Sequence, residues 1–206
     1  MLRPFELFRK IQTVEYKTVG DDTQYAIITD DTDCCIYLLF QQSNSKRDWL
    51  HNFDFPVKPY KQQVNKLLYH GGYCKVWKKC NDVIMEDLKN TMTEHPTYTI
   101  IVSGWSLGGA LAIIAAEEIT FRFNRLSWLI TFGAPKVCYG HKTKKTILDS
   151  CYNIFEYINH NDLVPFMPPF LGYCHVKKIY VGEPFNFIDW FNPQLYHCLY
   201  GEEFIY

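Results

Sequence analysis

The sequence predicts an α/β protein built on a mainly parallel central sheet with helices on both faces. Three observations carry this. Short apolar, β-branched runs alternate with longer segments of helical spacing, the pattern of strands joined by crossover helices. Two of the runs, residues 98–102 and 126–132, are apolar almost throughout, as strands covered on both faces must be. Between one of them and an apolar helix stands the tight Gly104-Trp105-Ser106-Leu107-Gly108 step.

The elements follow in order. Residues 24–29 and 34–40 read as consecutive strands joined by the turn Asp30-Asp31-Thr32-Asp33. Residues 45–52 read as a short helix with Ser45 as N-cap and Asp48 in a capping-box position. Residues 73–93 show helical spacing at Val76, Trp77, Val83, Ile84, Met85 and Leu88, and His95-Pro96 ends them. The strand over 98–102 leads to an apolar helix over 107–123 and a buried strand over 126–132, closed by Gly133-Ala134-Pro135. A helix over 142–150 and a strand over 152–158 follow, then the loop His160-Asn161-Asp162. With no repeat, low-complexity tract or linker, residues 1–206 are expected to form a single domain.

Composition narrows the function. Of 206 residues, 48% are hydrophobic and 21% charged, so the chain folds rather than staying disordered. A net charge of −1 supplies no basic field for nucleic acid or an anionic membrane surface. Residues 98–116 approach membrane-spanning length, but Gly104, Gly108 and Gly109 make them a strand, a turn and a buried helix, so no transmembrane segment is expected. Met1-Leu2-Arg3-Pro4-Phe5-Glu6-Leu7 is broken early by charge and does not read as a secretory leader; a cytoplasmic location is expected. The eight cysteines form no CxxC pair and lack zinc spacing, so they read as free, buried thiols, and no metal or cofactor is expected.

The Gly-x-Ser-x-Gly step carries the chemistry. A sharp strand-to-helix turn holds the serine oxygen above the sheet edge, and Gly104 and Gly108 leave room where a Cβ would clash. Ser106 then sits at a helix N-terminus, where free N–H groups favour a developing oxyanion. A serine hydroxyl needs a histidine base, and that histidine needs a carboxylate. Asp162 is the best acid, since it follows a strand at its C-terminal end, where such sheets place functional loops. Asp149 and Glu156 fall within a helix and a strand. His175 and His197 both follow the acid and are both candidate bases. The pattern is that of an α/β-hydrolase fold, in a compact version.

Four ordered segments resemble the class 3 lipase family, best known from fungal triacylglycerol lipases. They are the run from Ile36 through Ser43 to Leu50, Tyr69-His70-Gly71-Gly72-Tyr73, the run from His95 through the elbow to Ala112, and Thr131-Phe132-Gly133-Ala134-Pro135 with Asn161-Asp162-Leu163-Val164-Pro165. The resemblance implies Ser106 as nucleophile, Asp162 as acid and His197, in His197-Cys198-Leu199-Tyr200, as base, with His175 structural. It implies an oxyanion hole from the Leu107 N–H and from Ser43. Three departures stand out: Gln41-Gln42 replaces Arg-Gly before Ser43, Trp105 replaces the usual His, and the chain is shorter than the fungal enzymes. Trp105 is expected to pack under the turn and leave the chemistry intact.

Residues 46–53 can form a short amphipathic lid helix with Trp49, Leu50 and Phe53 on its apolar face, or a fixed surface helix. The expected function is hydrolysis of lipid or small carboxylic esters through an acyl-enzyme, with transient contact at a lipid interface. The alternatives are a catalytically silent lipid- or partner-binding module on the same fold, and another acyl hydrolase such as a thioesterase.

Overall fold

The computed structural model describes residues 2–20, 22–41, 67–169, 171–182, 196, 197 and 200. Helix α1 (Pro4–Thr13) leads into strands β1 (Lys17–Val19), β2 (Thr23–Asp30) and β3 (Cys35–Phe40). Then come α2 (Gly71–Glu94), β4 (Thr99–Trp105), α3 (Leu107–Phe123), β5 (Ser127–Phe132), β6 (Cys138–Tyr139) and α4 (Gly140–Asp149). Strand β7 (Cys151–Asn159), a single 3-10 turn (Val164–Phe166), β8 (Tyr173–Cys174) and β9 (Lys178–Val181) complete the described elements.

The main sheet has the order β1-β2-β3-β4-β5-β7-β9. Its first two pairings are antiparallel. The pairings from β3 through β4, β5 and β7 to β9 are parallel. The β2–β3 hairpin turns where the sequence places it, because the Asp30 carboxylate accepts the N–H groups of Thr32 and Asp33 at 3.1 and 3.2 Å. Every residue of β3 is buried. The alternation of strand side chains explains why: Ile36, Leu38 and Phe40 join one core with residues of α2, α3 and α4. Tyr37 and Leu39 join Leu7, Phe8 and Ile11 of α1 in a second core on the opposite face.

Helix α3 is the central covering element and is buried from Leu107 through Ile119. Its Glu118 is tied to α2, accepting Trp77 Nε1–H at 2.5 Å and Asn81 Nδ2–H at 3.2 Å, and it pairs with Arg122. These partners let a carboxylate sit in the core without an unpaired charge.

Helix α1, strands β1 and β9 and the β6–β8 ribbon are absent from the sequence-based expectation. For α1 the signal existed: Pro4 opens the helix, Glu6 sits in its first turn, and Leu7, Phe8 and Ile11 share one face. Strand β9 has no continuous apolar run to betray it; it sits at the end of the sheet and its side chains are exposed or half-buried. The helix expected over residues 45–52, the lid residues Trp49, Leu50 and Phe53, and Ser43 all lie outside the described residues. No helix among the described residues is long and apolar enough to cross a membrane.

Candidate active site

Strand β4 and helix α3 meet at Ser106, whose backbone has φ 57° and ψ −125°. That strained conformation for a non-glycine residue is held on several sides. Ser106 N–H donates to Phe132 O at the end of β5, at 2.9 Å. A Cβ on Gly104 would overlap the Gly108 carbonyl, and a Cβ on Gly108 would lie 2.5 Å from Phe40 O. Only glycines allow the helix to start so close to β4 before it and to the end of the neighbouring β3. Ser106 is fully buried, and its Oγ has no hydrogen-bond partner among the described residues. Leu107, the first residue of α3, contributes one of the first-turn amides that lack an intrahelical acceptor.

Asp162 leaves the C-terminal end of β7 in a turn closed by its own N–H donating to Asn159 O at 3.1 Å. Its carboxylate is fully buried and accepts three hydrogen bonds: Val164 N–H to Oδ1 at 2.9 Å, His197 Nδ1 to Oδ2 at 2.7 Å, and Tyr200 O–H to Oδ2 at 2.6 Å. The same Tyr200 oxygen accepts Asn159 N–H at 3.0 Å, so one phenol ties the end of β7 to the acid. A carboxylate facing Nδ1 makes that nitrogen the donor and leaves Nε2 as the basic nitrogen of the neutral ring.

The structure brings the His197–Asp162 pair to the same sheet edge as Ser106. A Cβ on Gly133 (φ +57°) would sit 2.9 Å from Asp162 Oδ2 and 3.0 Å from His197 Nδ1. Gly133 directly follows Phe132, the residue that accepts the Ser106 N–H. Trp105, beside the serine, donates its indole N–H to His197 O at 2.9 Å, and the two rings lie 5.2 Å apart at 32°. Trp105 therefore flanks His197, where the expectation had it packing under the turn.

The other candidate base faces elsewhere. His175 is buried with Nδ1 3.2 Å from Glu156 Oε1 and Nε2 2.7 Å from Pro165 O, so both ring nitrogens meet acceptors. Glu156 also accepts Lys177 N–H at 2.6 Å. His70 is buried against the rings of Tyr73 and Tyr173, and burial lowers its pKa to about 4. No cluster of three or more His, Cys, Asp or Glu side chains able to hold a metal ion occurs among the described residues.

Sequence reasoning did not give Gly133, Tyr200 or Trp105 their places beside the pair. Gly133 read only as the end of a strand. Tyr200 was visible in His-x-x-Tyr, but its contact with Asp162 spans 38 positions in the chain.

The chain is similar to known proteins over most of its length. It is 30% identical over 180 residues to the secreted mono- and diacylglycerol lipase A of Penicillium cyclopium, covering 84% of this chain and 58% of that one. It is 32% identical over 166 residues to a lipase of Rhizopus niveus, covering 78% and 42%. It thus spans about half the length of these curated relatives. The crystal structure of a mutant form of MDLA from Penicillium cyclopium superposes with a TM-score of 0.69 at 27% identity, over 83% of this chain and 63% of that one. The triacylglycerol lipase of Rhizomucor miehei shares the fold, with a TM-score of 0.70 at 22% identity over 82% and 66%.

These relatives correct the expected cytoplasmic location, since the Penicillium protein is secreted by name and points outside the cell. The expectation rested on residues 1–7, most of which lie in or lead into α1, with Leu7 buried in the core. Their composition reports on packing in that helix. The family model described as Lipase (class 3) matches residues 37–172, from β3 through the elbow and the acid loop, and the chain belongs to that class 3 lipase family.

Proposed function

We propose that this chain is a serine carboxylic-ester hydrolase that cleaves acyl esters of lipids through an acyl-enzyme, within one domain spanning residues 1–206. Ser106 is the nucleophile, His197 the general base and Asp162 its orienting carboxylate. The observation that carries the reading is the 2.7 Å bond from His197 Nδ1 to the buried Asp162, beside a serine on a strained elbow.

In this reading Asp162 holds Nδ1–H, and His197 Nε2 takes the Ser106 proton as Oγ bonds to the ester carbonyl carbon. The oxyanion falls to the Leu107 N–H at the start of α3 and to Ser43, each donor worth about 2.7–4 kcal/mol in the transition state. Collapse of the intermediate breaks the ester C–O bond, and the departing alcohol takes the proton from Nε2. Water, deprotonated by the same nitrogen, then releases the fatty acid and frees Ser106. His175 cannot replace His197 here, since both of its ring nitrogens face acceptors.

The names of the relatives favour acylglycerols as the substrate class. Trp49, Leu50 and Phe53 supply an apolar contact with the lipid interface in this reading. An active-site fluorophosphonate probe tests it. Labelling is expected at Ser106, and Ser106→Ala or His197→Ala is expected to lower turnover by about 10⁴-fold. Turnover should rise when an acylglycerol passes its solubility limit. A folded chain that neither labels nor turns over esters is a silent binding module, and preferential cleavage of acyl thioesters makes it a thioesterase.

A further inference from the structure

We propose that Trp105 is a positioning residue for the general base, gripping His197 by its backbone and ring so that its imidazole stays in line with Ser106; this rests on the reading of His197 as base. Trp105 is the last residue of β4 and the immediate neighbour of the nucleophile. Its Nε1–H donates to His197 O at 2.9 Å, and its ring lies 5.2 Å from the His197 ring at 32°. One side chain thus holds the base at two separate points. On another side Phe8 of α1 meets the indole edge-on at 6.0 Å and 84°. Phe8 is itself packed against Phe132 at 5.1 Å and Tyr200 at 5.9 Å.

The physical need is clear. A ring anchored through the Nδ1 bond can pivot about that bond, swinging Nε2 out of line with the serine. A hold on the backbone carbonyl together with a ring laid against the imidazole opposes the pivot, and misplacement by about 1 Å can cost on the order of 100-fold in rate. A residue needed only to fill space would require no N–H. Here the indole N–H finds its acceptor on the base itself. Because Trp105 and Ser106 are adjacent, the base is registered against the nucleophile by one peptide unit of β4.

The chemistry also says which substitution should work. An imidazole can place a ring N–H where the indole has Nε1, with the five-membered rings overlaid. Phenylalanine keeps a ring but offers no donor, and leucine keeps neither. The test compares Trp105→His, Trp105→Phe and Trp105→Leu on a water-soluble short-chain ester, with kcat expressed per site titrated to completion by the fluorophosphonate.

Positioning predicts that kcat falls while KM stays within about twofold. Trp105→His should keep kcat within about threefold, Trp105→Phe should lose about 3- to 10-fold with the hydrogen bond, and Trp105→Leu about 10- to 100-fold. A packing role predicts the reverse order, with the larger apolar Phe tolerated better than His. The proposal is overturned if Trp105→Phe equals or exceeds Trp105→His in kcat, or if Trp105→Leu stays within twofold of wild type. If Trp105→Leu does not fold, the His and Phe pair still decides. Ser106→Ala separates the two readings. Retained turnover in that variant sinks the triad itself, whereas its loss beside a fully active Trp105→Leu sinks only the role of Trp105.

Discussion

Gly133→Ala should damage catalysis and stability together, and a second glycine allows the two effects to be separated. Gly133 has φ +57°, and a Cβ there would lie 2.9 Å from Asp162 Oδ2 and 3.0 Å from both Cε1 and Nδ1 of His197. Ordinary contacts between such atoms begin near about 3.5 Å, so the new methyl must push the acid–base pair away by roughly half an ångström. The left-handed backbone adds a separate cost of about 1–2 kcal/mol for a residue with a Cβ. Gly140 has φ +79° with nothing within 4 Å of its would-be Cβ, so Gly140→Ala carries the backbone cost alone. Denaturant unfolding should show a loss of about 1 kcal/mol for Gly140→Ala and about 2–4 kcal/mol for Gly133→Ala. Ester kinetics should show an unchanged kcat for the first and a loss of about 10- to 100-fold for the second. A folded Gly133→Ala protein with kcat within twofold of wild type would refute the placement of the His197–Asp162 pair in the reacting centre.

Tyr200→Phe removes one of three hydrogen bonds to the Asp162 carboxylate and strips the acceptor from Asn159 N–H; we expect a loss of about 2–4 kcal/mol in unfolding free energy and of about 10-fold in kcat. His175→Ala leaves the buried Glu156 with Lys177 N–H and without its imidazole, which should cost about 2–4 kcal/mol in denaturant titration while kcat per titrated site stays within about fivefold. Loss of turnover in a folded His175→Ala protein, with His197→Ala still active, would reverse the assignment of the base. Burial lowers the His70 pKa from 6.5 to about 4. Its neutral form therefore contributes stability that is fully present above pH 6.5 and is lost as pH falls toward 4. Calorimetry should show Tm dropping across that window in wild type and less steeply in His70→Phe; parallel pH profiles would show that His70 is not the group responsible.

Much of the fold is legible in the chain because its signals are local. A β-branched run, an apolar helix and a Gly-x-Ser-x-Gly step each declare themselves within a few residues, and the elements observed around Ser106 start and end within a few positions of where the spacing puts them. The place of Asp162 in the loop after β7 is legible for a related reason, since the strand before it declares itself locally. The edge strand β9 and the two-residue β6 and β8 are not, because so few residues carry no periodicity. Helix α1 has an amphipathic face and a Pro start, but residues 1–7 are weighed only against a secretory leader and not as structure. Finding neither a leader nor a transmembrane segment in the sequence produced the cytoplasmic expectation that the secreted relative overturns.

What the sequence determined by itself is the elbow, the alternation of elements and the order of serine, acid and histidine. The elbow and the alternation follow from backbone sterics and hydrophobic period, which act between near neighbours, whereas the order of serine, acid and histidine is what the resemblance to the lipase family implies. Only the tertiary structure shows that His175 is tied to Glu156 and Pro165, and that Phe8 of the N-terminal helix packs on Trp105, which in turn lies against His197. Those outcomes depend on contacts between residues far apart in the chain, 92 positions for Trp105 and His197. A one-dimensional pattern carries no such distance, because the sheet must form before its strand ends can bring these side chains together.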